Sequence, residues 1–187
     1  MKRRRLVEGL EMHVIASSLN ADILFKNMVS QWSGRSLAEV STLLGFLMFA
    51  NQLHHTHHWV CKGSPSYGDH LLFQRLYEGI QDEIDGLGEK VVGLGSVDNV
   101  DMPLLVQQVG KWTSLLAQPT STIQSPGELA RKSLEVEMLF LKFADMTAMM
   151  LKEAGILTRG LDNLLAGLQD SHESHVFLLK QRIQESL

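Results

Sequence analysis

The residues of this chain whose types and spacing point to chemistry are histidines and carboxylates. Five of the eight histidines fall between His54 and His70, and neutral imidazole is the commonest nitrogen ligand for a transition metal. Downstream, Glu78, Asp82, Asp85 and Glu89 follow at spacings of four, three and four. On a helix that spacing lines carboxylates along one face, where neighbours can share a cation. Each feature also has a plain structural reading. A core-facing histidine is ordinarily satisfied by a carbonyl or a carboxylate, and an acidic line is ordinarily a solvated helix face, the reading we favour for Glu78 and Asp82.

These residues need rigid elements to position them, and the four prolines indicate which. Pro65, Pro103, Pro119 and Pro126 leave long stretches free of helix breakers. Ser36-Leu37-Ala38-Glu39 has capping-box spacing, so a first helix is expected from about Ser36 to Cys61, stopped by Lys62-Gly63-Ser64-Pro65. A second runs from about Tyr67 to Val92, ending at Gly93-Leu94-Gly95. Asp101 to Gln118 holds one short helix after Pro103. Ser125-Pro126-Gly127-Glu128 repeats the capping-box spacing with proline at the first helical position, and opens a third helix to Ala154, with Gly155 as a left-handed cap. A fourth starts near Thr158. Each long helix spans about 40 Å at 1.5 Å per residue. No alternation of β-branched residues competes. The expected class is all-α, a four-helix bundle with a short helix in the long crossover between the second and third helices. Residues 1–35 precede it as an extension, with a basic cluster at Lys2, Arg3, Arg4 and Arg5 and an amphipathic stretch from Leu6 to Trp32; residues 36–187 form the domain.

Composition bounds the rest. The 187 residues are 44% hydrophobic and 20% charged with a formal charge of −4, which excludes a disordered chain and argues against a surface that binds nucleic acid all over. Cys61 is the single cysteine, so there is no disulfide scaffold. No run approaches the roughly 20 apolar residues of a membrane span, and Glu8, Glu11 and His13 interrupt what would be the apolar region of a secretory signal.

On the first helix Val40, Leu43, Leu44, Leu47, Asn51, His54 and His58 share one face, with His55 at its margin, while Phe46, Phe49, Leu53 and Val60 form a second apolar strip. A helix apolar nearly all round is expected to touch another subunit as well as its own bundle. On the second helix His70, Gln74, Asp85 and Glu89 lie beside the stripe of Phe73, Tyr77, Ile80, Ile84, Leu87 and Val91. His70 and Asp85 are separated by about 22 Å along a straight helix, so one chain cannot bring them to one metal. Two copies of the helix packed antiparallel about a two-fold axis can. The expected site is interfacial, with His58 and His70 from one subunit and Asp85 and Glu89 from its mate, and Gly79 at the crossing lets the backbones approach.

The run His58-Trp59-Val60-Cys61-Lys62-Gly63, followed by His70, Tyr77, Asp85, Glu89 and Val91-Val92-Gly93-Leu94-Gly95, resembles the Dps family of mini-ferritins. The Asp170-Ser171-His172-Glu173-Ser174-His175 segment is similar to that family's last helix. The family has a His-Trp, a His twelve residues on, then an Asp, a second Asp and a Glu; here the first Asp position holds Gln74 and the other four match. The resemblance implies a ferritin-like fold and a hollow shell of twelve subunits built from two-fold dimers, which oxidises iron with hydrogen peroxide or oxygen, stores the ferric mineral and protects against oxidative damage. It implies a cytoplasmic protein, on the nucleoid where DNA is bound, with Lys2, Arg3, Arg4 and Arg5 as the DNA-contacting tail. Trp59, beside His58, is either a quencher of stray radicals or a packing aromatic. Gln74 replaces an anionic oxygen with a neutral amide, which weakens any second iron there; His54, one turn before His58, is the better candidate than His55 to compensate. No Glu-x-x-His occurs in the chain, which argues against the ordinary ferritin site inside one bundle. The alternative function is a ferritin-like assembly or DNA-compacting protein with weak or lost oxidase activity.

Overall fold

The computed structural model describes residues 20–32, 35, 37–63, 66–119, 122 and 125–184. Residues 20–31 are helical (α1), followed by α2 (Ala38–Val60), α3 (Ser66–Leu94), a 3-10 turn (Val97–Val100), α4 (Met102–Leu116), α5 (Pro126–Glu153) and α6 (Arg159–Gln184). No strand occurs among the described residues. The four long helices close a bundle in which α2 packs on α3 and α5, and α6 packs on α5 and α3. The expected fold class and the short crossover helix are both present, each boundary within about two residues of the expected one, ordinary fraying at helix ends.

The helix ends follow local chemistry, though not always the chemistry expected. Gly155 is left-handed at φ 71°, as its place after α5 required. Gly63 adopts φ 95° and reverses the chain between α2 and α3. Asp101 caps α4 by accepting the Leu104 N–H at 3.1 Å, and Thr158 accepts from Leu161 N–H at the start of α6. At α5, Ser125 sits at the N-cap, yet its side chain makes no cap hydrogen bond. The capping box expected there does not form, and the pre-set φ of Pro126 at the first turn starts the helix instead. Ser36, of the other expected box, lies outside the described residues; α2 begins behind Leu37 in a left-handed conformation.

The expectation that a partner subunit covers the second apolar strip of α2 is not needed for its first half. Helices α4 and α5 cover it: Phe46 meets Trp112 of α4 edge-on at 5.0 Å and Phe143 of α5 at 5.0 Å. Gly45 is where α2 and α4 approach, since a Cβ there would lie 2.5 Å from Gln108 Oε1. Helix α1 closes another side, burying Ala21, Phe25, Met28 and Trp32 at helical spacing, with Phe25 stacked on Phe143. Together these residues form the larger apolar core. A smaller one at the other end joins Phe73, Leu76, Leu129, Ala130 and Leu179, tied by a buried ion pair between Asp69 and Arg182.

Between the two cores lies a polar layer. His54, His57, Ser133, Glu137, His172 and His175 are all buried there, with the His172 ring stacked on Phe140 of the larger core and His57 edge-on to Phe73 of the smaller one.

Candidate metal centres

The outer group sits where α2 hands over to α3. Helix α2 ends at Val60, Cys61 is extended, and the turn at Gly63 brings α3 back alongside. The His58 and His70 rings then stack with centroids 3.6 Å apart. His58 Nδ1 lies 3.0 Å from the His70 carbonyl and His70 Nδ1 3.1 Å from the His58 carbonyl. A carbonyl only accepts, so each Nδ1 carries the proton and donates, and each Nε2 keeps its lone pair. That is the tautomer of a metal-ligating histidine oriented by a backbone acceptor. Cys61 Sγ stands 3.9 Å from His70 Nδ1. His55 stacks on Tyr77 at 4.2 Å and tilts against Trp59 at 4.3 Å.

The carboxylates expected to complete this group are elsewhere. Asp85 and Glu89 are exposed on α3, and among the described residues of one chain they join no metal-sized group with His58 and His70. Gln74 donates its amide to Glu78 at 2.8 Å along the outer ridge of α3. Around the histidine pair a single chain exposes large apolar side chains: Trp59 by 61%, Tyr67 by 76% and Leu71 by 47%. Gly79 does not serve as a crossing point, because its absent side chain faces His175 of the same chain, 3.7 Å from Nε2. Lys2, Arg3, Arg4 and Arg5 lie outside the described residues.

His54 does not join His58. Four residues advance a helix by about 40°, and here that rotation carries one histidine across a boundary. His58 turns toward α3, whereas His54 turns between α5 and α6, fully buried, with Nε2 2.7 Å from Glu137 Oε1 and Nδ1 3.1 Å from Ser133 Oγ. It therefore cannot stand in for the oxygen that Gln74 lacks.

The inner group is centred on Glu137. Its Oε2 lies 2.5 Å from His172 Nδ1 and 3.3 Å from His175 Nδ1, and His172 Nε2 reaches Glu83 Oε2 of α3 at 2.9 Å. Burial opposes the charge on Glu137, but His172, with hydrogen bonds from three histidines, holds its carboxyl well below the usual range. Burial likewise opposes charge on His172, and the two carboxylates override it and raise its pKa to about 9. His54 and His57 have no such surplus: burial lowers both, His57 to about 3. Without metal the layer is thus an ion pair of Glu137 with imidazolium His172, beside neutral His54 and His57. The sequence reading missed this group. The signal present was His172-x-x-His175, a spacing that puts two imidazoles on one helix face, together with a lone Glu137 in the otherwise apolar stretch Val136 to Phe140.

No protein-family model matches this sequence, and no curated protein sequence matches it. Solved structures do. DpsC from Streptomyces coelicolor superposes with a TM-score of 0.67 at 22% identity, over 79% of this chain and 83% of that one. Dps from Thermosynechococcus elongatus superposes with a TM-score of 0.64 at 17% identity, over 88% of this chain and 94% of that one. At these identities the likeness is one of architecture: this chain has the ferritin-like four-helix-bundle fold of the Dps proteins.

Proposed function

We propose that this protein is a Dps-like mini-ferritin that oxidises Fe(II) at a site shared between two subunits and stores the ferric product inside a homo-oligomeric shell, a dodecamer built from two-fold dimers. The observation that carries the reading is the His58–His70 pair, whose Nε2 lone pairs are presented at an exposed, apolar-rimmed edge where, among the described residues, no carboxylate of the same chain joins them in a metal-sized group. An imidazole pair without an anion is half a site for iron. Asp85 and Glu89 of a two-fold mate supply the other half in this reading, and Trp59, Tyr67 and Leu71 are the apolar area buried when the two subunits meet.

Iron is the substrate here. Mixed imidazole and carboxylate ligands accept both its oxidation states, and an incomplete coordination sphere leaves a position for the oxidant. Two Fe(II) ions each give one electron; with two protons these cleave the O–O bond of one hydrogen peroxide to two waters. Gln74, turned to Glu78, contributes no anionic oxygen, so one iron is held more tightly than any second. Such a shell works in the cytoplasm as a protectant against peroxide. Lys2, Arg3, Arg4 and Arg5, repeated on every subunit, provide phosphate neutralisation through avidity and give a second, DNA-compacting role. Consistent with this setting, no helix among the described residues is long and apolar enough to cross a membrane.

The test is subunit mixing. His70→Ala and Asp85→Ala subunits, each inactive alone in peroxide-dependent formation of ferric absorbance, regain about a quarter of wild-type sites when co-refolded, because one of the two sites in each mixed dimer is intact. Mixtures as inactive as the parents, with mixed dimers verified by mass, exclude the shared site.

A further inference from the structure

The geometry points to a second metal site inside each bundle, formed by His54, Glu137, His172 and His175 with Glu83 at its edge, that takes one divalent transition-metal ion such as Fe(II), Zn(II) or Co(II). Nothing in the outer reading requires it, and it stands whether or not the interfacial site forms.

Donor geometry is the first argument. Ligand atoms of Glu137, His172 and His175 lie within 4.8 Å of one another, and His54 Nε2, 2.7 Å from the other Glu137 oxygen, stands outside that group and would move in as a fourth donor. An ion bound at about 2.0–2.2 Å holds tetrahedral donors about 3.3–3.6 Å apart. The present contacts of 2.5, 2.7 and 3.3 Å around Glu137 are those of protons shared where an ion would sit, and reach metal spacing by opening less than about 1 Å. The donors come from α2, α5 and α6, so no single helix has to bend. Nitrogen-rich ligands with a carboxylate select Fe(II), Zn(II) or Co(II) over Mg(II) or Ca(II).

The hydrogen bonds behind His54 give the second argument. Ser133 Oγ lies 3.1 Å from His54 Nδ1 and 2.8 Å from His57 Nδ1. Without metal, His57 donates to Ser133, Ser133 to His54, and His54 Nε2 donates to Glu137. With the direction reversed, His54 Nδ1 donates to Ser133 and Ser133 donates to His57, which frees the His54 Nε2 lone pair for an ion. Both directions keep Ser133 Oγ and the Nδ1 atoms of His54 and His57 paired, so the reversal breaks no hydrogen bond between them. A layer serving stability alone has little reason to be this polar, since replacing buried ion pairs by apolar side chains is often neutral or stabilising. At the edge of the layer Glu83 is partly exposed and Gly79 leaves the His175 ring uncrowded.

The test uses the full chain carrying His58→Ala and Asp85→Asn, which removes the outer site and leaves the inner layer untouched. Titration with Co(II) is followed by visible d–d absorption and by metal content after desalting. One retained ion per chain, with the intense bands of a low-coordinate nitrogen-ligated centre, is expected; adding His172→Gln abolishes the bands and at least tenfold of the affinity. Retention of no cobalt by the double variant overturns the proposal and leaves the layer an ion-pair network. Should His172→Gln fail to fold, anomalous scattering from crystals of the double variant soaked in excess cobalt decides: a peak between Glu137, His172 and His175 supports the site, and its absence refutes it. Failure here leaves the subunit-mixing result standing, and the reverse holds equally.

Discussion

Two groups of histidines on one helix meet opposite fates in this molecule. His58 ends in a shallow, open arrangement with His70, held by backbone carbonyls and joined by no carboxylate in a metal-sized group among the described residues. His54, one turn earlier, ends in a sealed layer where a single glutamate serves three imidazoles. In the proposed reading the first is a half-site completed by another molecule, whereas the second draws its donors from one chain. Openness makes the outer pair cheap to alter and sensitive to assembly, whereas burial makes the inner layer part of the fold itself.

The sharpest way to break this contrast is to remove one side chain from each group. Glu137→Ala strands buried imidazoles and an imidazolium, and is expected to cost about 3–5 kcal/mol of stability, whereas His58→Ala costs under about 1 kcal/mol. Urea unfolding with chelator present compares the two, and equal losses would dissolve the distinction. Next in size is a pH effect confined to the inner layer. The raised pKa of His172 means its contribution in metal-free protein is fully present below pH 6.5 and disappears as pH rises through about 9. The thermal midpoint of the wild type therefore falls between pH 7 and 10, and His172→Gln flattens that limb. On the acid side the order inverts for His57: lowered to about 3, it stays neutral in the fold while the unfolded chain binds its proton, so stability falls from pH 6.5 toward 3.

Activity probes the outer side. His58→Ala is expected to slow peroxide-dependent Fe(II) oxidation at least about tenfold with the helical signal unchanged. An unaltered rate would move the chemistry away from the α2–α3 edge, and the inner layer would then be the place to look. The smallest expected change is Gln74→Asp. It restores an anionic oxygen on the outer ridge of α3 and should raise the oxidation rate a few-fold without moving the thermal midpoint by more than a degree or two. A gain in stability with no gain in rate would place Gln74 outside the site.

Much of the architecture was legible before folding was considered. Four widely spaced prolines, Gly63 and Gly155 set where helices end, because backbone preferences are local. The apolar stripe of α3 and the resemblance carried by His58-Trp59, His70, Asp85 and Glu89 likewise needed nothing beyond spacing. The Ser125 capping box, by contrast, was local and still did not form; Pro126 supplied the start without it. Gly79 was read as an intermolecular crossing and instead faces His175 across its own bundle.

What the sequence determined by itself, then, is the set of elements and the outer pair, since a turn of a few residues brings His58 and His70 together almost unavoidably. What only the tertiary structure decided is the inner layer. Ser133 and Glu137 lie 79 and 83 residues from His54, and His172 another 35 beyond Glu137, and no helical period predicts which side of a boundary a residue 40° around the helix will take. That choice is made by the neighbours packed against α2, where α5 and α6 offered His54 a carboxylate and α3 offered His58 only a carbonyl.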